Sequence, residues 1–94
     1  MKRVHCEVYG KVQSTGFRDF CWRCSRKTGV SGWVSNDLSD HHHVVLEVQG
    51  EEAQMEKFFS LLQKGDGRCQ VDSIMKSEMP ADPDEKEFQA RHRF

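Results

Sequence analysis

The sequence predicts an α+β fold: a two-layer sandwich in which two helices cover one face of an antiparallel sheet. Three observations lead there. Several short runs alternate apolar and polar residues, the period of a strand with one buried face. Two longer runs carry apolar residues at i, i+3, i+4, i+7, the stripe of a helix with one buried face. The runs follow one another as β-α-β-β-α-β, with a short extra strand at the C-terminal end. The 94 residues suit one hydrophobic core, so a single domain over 1–94 is expected.

Val4, Cys6 and Val8 alternate with His5, Glu7 and Tyr9, which makes residues 3–9 the first strand. Gly10 and Gly16 bracket a polar bend, and Phe17, Phe20, Cys21 and Cys24 then form the inner stripe of a helix from Phe17 to Lys27. Gly29 stops that helix. Val30 to Ser35 is the second strand, ending at Asn36, and Asp37 to His43 is a polar turn. Val44, Leu46 and Val48 alternate with Val45, Glu47 and Gln49 in the third strand. Gly50-Glu51-Glu52 opens a second helix with carboxylates in its first turn, where the helix dipole favours them. Met55, Phe58, Phe59 and Leu62 are its inner stripe, and Gly65-Asp66-Gly67 ends it. Gln70 to Met79 has the length and branching of a fourth strand. Pro80 to Lys86 is a surface loop, and Phe88, Ala90, His92 and Phe94 alternate as the last strand.

Composition limits the function. A hydrophobic fraction of 36% and a charged fraction of 31% fit a soluble globular protein. No apolar run approaches the roughly 18 residues of a membrane span, and the N-terminus shows no signal-peptide block. A cytoplasmic location without membrane attachment is expected. The net charge of −1 argues against general nucleic-acid binding. An RNA-binding domain of the same element order needs paired aromatics on its central strands, and the third strand has none. Basic residues are nonetheless concentrated early: seven Lys or Arg precede residue 31, against only Glu7 and Asp19. That excess surrounds the glycine-bracketed bend, as a small anionic ligand requires; a merely solvated basic face is the plainer alternative.

The bend itself carries the chemistry. A strand–loop–helix start points several backbone N–H groups into one small space, backed by the positive end of the helix dipole. Arg18 adds a planar fork matched to two oxygens of one phosphate. A cation at a helix start is mildly disfavoured by the dipole, which argues that Arg18 has a ligand. The expected feature is an anion cradle sized for one phosphoryl group.

Other motifs read as structure. Cys21 and Cys24 form a C-x-x-C, but both fall on the inner helix stripe, and no second pair completes four ligands. Core packing is the better account. With Cys6 and Cys69 they make four cysteines, expected as free thiols because no secretion signal is present. His41-His42-His43 invites a metal reading, yet no partner is placed by spacing, so a solvated turn is expected.

The segment Gly10-Lys11-Val12-Gln13-Ser14-Thr15-Gly16-Phe17-Arg18, followed by Gly29-Val30-Ser31-Gly32-Trp33-Val34-Ser35-Asn36, resembles the acylphosphatase family, whose pattern is G-x-V-Q-G-V-x-F-R and then roughly G-x-x-G-W/Y-V-x-N. The resemblance runs through almost the whole chain. It implies a ferredoxin-like fold and hydrolysis of small acyl phosphates to a carboxylate and phosphate, without cofactor or metal, by a monomer. It also implies that Arg18 binds the phosphate, that Asn36 positions the attacking water, and that the substrate-binding stretch is Gln13, Ser14, Thr15, Gly16, Phe17 and Arg18, acting largely through backbone amides. Two positions depart from the pattern: Ser14 and Thr15 stand where the family has glycine and valine. If position 14 requires positive φ, serine there costs about 1 kcal/mol. The alternative is a non-catalytic phospho-ligand binding module on the same fold.

Overall fold

The computed structural model describes residues 1–13 and 16–91. The chain forms β1 (Lys2–Lys11), α1 (Phe17–Thr28), β2 (Ser31–Asn36), β3 (His43–Gly50), α2 (Glu52–Lys64), β4 (Gln70–Met79) and β5 (Phe88–Arg91). The sheet order is β4-β1-β3-β2-β5. The β1–β3, β1–β4 and β2–β3 ladders are antiparallel, as expected. The β2–β5 ladder is parallel, so the whole sheet is mixed rather than antiparallel.

The parallel strand follows from where the chain must travel. β4 occupies one edge and ends with Met79 opposite Arg3, at the sheet end where β1 begins. Residues 80–87 cross that end to the other edge, and β5 starts beside Gly32 and runs the same way as β2. The crossing is stapled down. Gln49 Nε2 donates to the Asp82 carbonyl at 2.7 Å, its Oε1 accepts from the Asp82 N–H at 2.8 Å, and Arg3 Nη1 meets Glu85 at 2.6 Å. Arg3 and Gln49 are thereby buried, although they lie on the sheet face away from the helices. A second consequence places the site: β1, β2 and β5 all run toward the same end of the sheet.

Both predicted helix stripes are core. Phe17, Phe20, Cys21 and Cys24 from α1 join Met55, Phe58, Phe59 and Leu62 from α2 over Val8, Val34, Val44, Leu46 and Val48. Gly29 closes α1 in the left-handed conformation, at φ 85°. A capping box of Glu51 and Gln54 opens α2. Gly10 is required by close approach: with φ at 142°, a Cβ there would stand 2.2 Å from the Gln70 carbonyl oxygen, where the β1–β4 register shifts. The last strand is described only to Arg91, so His92 and Phe94 lie outside the described residues. Among the described residues no helix is long and apolar enough to cross a membrane.

Phe58 ties the core to the far edge of the sheet. It is fully buried, edge-on to Phe59 at 5.4 Å and tilted against Phe88 at 6.0 Å. Phe58→Ala is expected to remove about 3–5 kcal/mol of stability through lost burial and the cavity left behind. A denaturant midpoint measured beside wild type checks this.

Candidate functional site

A cleft of about 900 Å³ opens at the end of the sheet toward which β1, β2 and β5 run. Gly16, Phe17 and Arg18 line it from the start of α1, Asn36 from the end of β2, and Phe88 and Arg91 from β5. Val12 and Trp22 complete an apolar wall. Residues 16 to 18 and residue 36, separated in sequence by helix α1 and strand β2, thus line one space.

Gly16 is the N-cap of α1 and has φ 79°, ψ 20°. That conformation suits glycine, and it sets the helix start against the cleft, where first-turn N–H groups stand outside the intrahelical ladder. Gly16 has no side chain to cap the helix, so nothing from residue 16 covers those groups. Phe17 is 1% exposed and anchors the turn in the core. Arg18 is partly exposed, and its Nη1 donates to the Arg91 carbonyl at 2.5 Å, tying α1 to β5. Asn36 is half-buried, and its Oδ1 is the one buried side-chain oxygen or nitrogen with no hydrogen-bond partner among the described residues. An unsatisfied buried amide oxygen costs about 1–3 kcal/mol, so it calls for an explanation.

Gln13 plays a part that its place in the loop did not suggest. Its Nε2 lies 2.8 Å from the carbonyls of Asp37, Asp40 and His43, so the side chain fastens the loop to the turn after Asn36. Ser14 and Thr15 lie outside the described residues. A second guanidinium, that of Arg68, comes against Gly16: a Cβ there would meet it at 3.5 Å. The early basic excess is only partly at the site. Arg3 sits at the opposite sheet end, and Arg23 is paired with Asp19 at 3.0 Å and Asp66 at 3.5 Å.

The histidine run needs correcting. His41 and His42 are exposed, but His43 is buried as the first residue of β3. Its ring stacks on Tyr9 at 4.5 Å. Nδ1 lies 2.6 Å from Asp37 Oδ2, and Nε2 lies 2.5 Å from Glu7 Oε1. The contacts continue across the open sheet face: Glu7 to His5 Nε2, His5 Nδ1 to Glu47 at 2.8 Å, and Glu47 to Arg3 at 3.0 Å. A neutral imidazole has one N–H, so a ring between two carboxylates satisfies both only as the imidazolium. The expected signal was present as phase: His5, Glu7, His43 and Glu47 all fall on the polar side of their strands' alternation. The missing information was which strands pair.

These contacts set ionisation. The hydrogen bond to Glu47, with a second from Glu7, raises the pKa of His5 despite its partial desolvation. Burial pushes His43 down, but its bonds to Asp37 and Glu7 outweigh this and hold it above the ordinary histidine value. Asp37 is lowered to about 2 by its bonds to His43 and Ser39. Glu47 is raised by burial but held below its usual value by His5 and Arg3. The histidines therefore contribute stability fully present below the unfolded value of about 6.5 and lost as pH rises through their raised folded values. The carboxylates contribute stability present above unfolded values of roughly 4 and lost as pH falls through their depressed ones. Melting temperature is expected to peak between about pH 4.5 and pH 6.5 and to fall on both sides. His5→Gln and His43→Gln should each flatten the alkaline side of that curve.

The thiols take no part. All four cysteines are free and buried. Burial pushes Cys6 up to about 12 and Cys21 well above its ordinary value, which keeps both unreactive near neutrality. Among the described residues no group of three His, Cys, Asp or Glu side chains is arranged to hold a metal ion.

With this geometry in view, the chain can be set beside known proteins. A family model described as acylphosphatase matches residues 4–90. The acylphosphatase of Geobacillus thermodenitrificans is 36% identical over 88 residues, spanning 94% of this chain and 92% of that protein. The crystal structure of acylphosphatase from Bacillus subtilis superposes with a TM-score of 0.86 at 26% identity, covering 97% of this chain and 99% of that one. An acylphosphatase structure from Coxiella burnetii gives a TM-score of 0.84 at 29% identity, covering 96% and 92%.

Proposed function

Since this chain belongs to the acylphosphatase family, we propose that it hydrolyses the carboxyl–phosphate bond of small acyl phosphates, with Arg18 and Asn36 as its catalytic residues. The observation that carries this reading is that Asn36, whose buried Oδ1 has no hydrogen-bond partner among the described residues, lines the same cleft as Arg18 and the start of α1.

An acyl phosphate is a mixed anhydride, and its leaving group is a carboxylate that departs without a proton. No general acid is needed. The reaction needs charge neutralisation at the phosphoryl oxygens and a water held in line with the breaking bond. The guanidinium of Arg18 and the amides from residue 14 to residue 18 supply the first. Asn36 Oδ1 accepts a hydrogen bond from the attacking water and aims its oxygen at phosphorus. As the new P–O bond forms, the P–O bond to the acyl group breaks and its electron pair leaves on the carboxylate. The water's proton passes to a phosphoryl oxygen, so no protein base is required. The enzyme is proposed to act as a cytoplasmic monomer on a low-molecular-weight substrate.

Benzoyl phosphate tests the proposal. Release of inorganic phosphate, unaffected by chelator, supports it. Tight binding of phosphate with no turnover would leave a phospho-ligand binding module instead.

A further inference from the structure

We infer that His43, acting through Asp37, is a positioning residue for Asn36, and that its protonation sets the alkaline limit of turnover. The inference rests on the reading of Asn36 above and goes beyond it. Asn36 is the last residue of β2, paired with Val44, and Asp37 follows it directly. The turn from 37 to 43 is closed by two links at its base: the Asp37 N–H to the His43 carbonyl at 3.1 Å, and the Asp37 carboxylate to His43 Nδ1 at 2.6 Å. Two further links hold the hairpin to neighbouring chain: the Gly10 N–H donates to the His42 carbonyl at 2.9 Å, and the Gln13 side chain donates from Nε2 to the His43 carbonyl at 2.8 Å. None of those titrates. The His43 ring, by contrast, bridges the turn to β1 through Glu7 and is stacked on Tyr9.

With the ring charged, each nitrogen donates to a carboxylate. With one proton gone, one nitrogen turns a lone pair toward a carboxylate oxygen, and attraction becomes repulsion at one end of the bridge. If the Asp37 end opens, the residue next to Asn36 keeps its backbone links to His43 and Gln13 but loses its side-chain anchor, and the carboxamide is held in line less tightly. A misplacement of about 1 Å is worth about 10²-fold in rate at the extreme, so partial loosening gives less. The groups around the ring are Asp37 from the turn, Glu7 and Tyr9 from β1, then His5 and Glu47 one step further along the chain of contacts. β4 places only Met75 and Ser73 opposite Glu7 and Tyr9, and β2 places Ser35 opposite Val45.

The test needs no variant to begin. For wild type, kcat on benzoyl phosphate is measured against pH, while NMR follows the His43 imidazole and the Asn36 side-chain amide. The expected result is a kcat step of about five- to tenfold, smaller than full misalignment, with its midpoint at the His43 titration and KM changed less than about twofold. The Asn36 amide signal should move at the same midpoint. Glu7→Gln lies outside the cleft and keeps an acceptor for His43 while removing a charge. It should carry both midpoints down by about one pH unit and leave the acid plateau of kcat intact. His43→Gln should abolish the step. A kcat that stays flat through the His43 midpoint, or a Glu7→Gln shift seen by NMR but not in kcat, overturns the inference. Full activity in Asn36→Ala would instead overturn the reading of Asn36. If wild type releases no phosphate, the Asn36 amide signal alone decides: movement at the His43 midpoint supports the clamp, and its absence overturns it.

Discussion

Arg18→Ala is expected to raise KM by about tenfold and to lower kcat by about 10²–10³, while leaving the protein folded. The magnitudes come from the two tasks assigned to one side chain. A charge-assisted fork holds the dianionic phosphoryl group in the ground state, and the same fork meets growing charge on the equatorial oxygens as the acyl bond breaks. Two of the effects on stability are small and oppose each other. The bond from Nη1 to the Arg91 carbonyl is worth about 0.5–1.5 kcal/mol. Against it, a cation in the first turn of α1 works against the helix dipole by about 0.3–1 kcal/mol. Steady-state kinetics beside a thermal melt separate the roles. A variant that melts like wild type but turns over a hundredfold slower supports a functional arginine. Equal losses in melting and in activity would instead make Arg18 a strut between α1 and β5. Arg18→Lys sharpens the result: it restores charge without the planar fork, and should recover KM better than kcat.

The positions of the residues proposed for this site were legible in the sequence because each is fixed by local events. Gly16 and Phe17 mark the point where strand period gives way to helix period, so Arg18 could be placed on the first turn. Trp33, Val34 and Ser35 alternate into the end of β2, so Asn36 could be placed at a strand terminus. The helix stripes of α1 and α2 were equally readable, since each buries one face and the spacing survives intact. The β4 limits at Gln70 and Met79 were visible because glycines precede the strand and a proline follows it. What could not be read was long-range pairing. The direction of β5 depends on residues 80–87 crossing the sheet end, and that crossing is held by Arg3 and Gln49 from other strands. The burial of His43 is invisible in the sequence for the same reason. Its partners are a turn residue and Glu7, 36 positions earlier, joined only once β1 lies beside β3. Gln13 was assigned to the loop by its neighbours in sequence, whereas its side chain is spent on the turn that follows Asn36. The convergence of α1, β2 and β5 on one cleft is thus a result of topology, while the place of each contributor within its own element was readable locally.

Asn36→Ala is expected to lower kcat by about 10²–10³ with KM within about twofold of wild type, and without loss of stability. The stability half of that expectation distinguishes a catalytic asparagine from a structural one. A structural asparagine at a strand end satisfies its amide within the fold, and its removal weakens the protein. Here the Oδ1 is buried and makes no hydrogen bond among the described residues, so none of them offsets the desolvation of that oxygen. Truncation removes the unsatisfied group. The melting temperature should hold or rise, the pattern expected where a site is kept for function at the expense of stability. Asn36→Asp is the stringent companion. It preserves shape but sets a carboxylate before an anionic phosphoryl group and beside Asp37. Coulomb repulsion should therefore raise KM as well as depress kcat. Should Asn36→Ala melt well below wild type while retaining its turnover, the carboxamide belongs to the hairpin rather than to the reaction, and the water must be aimed by another group.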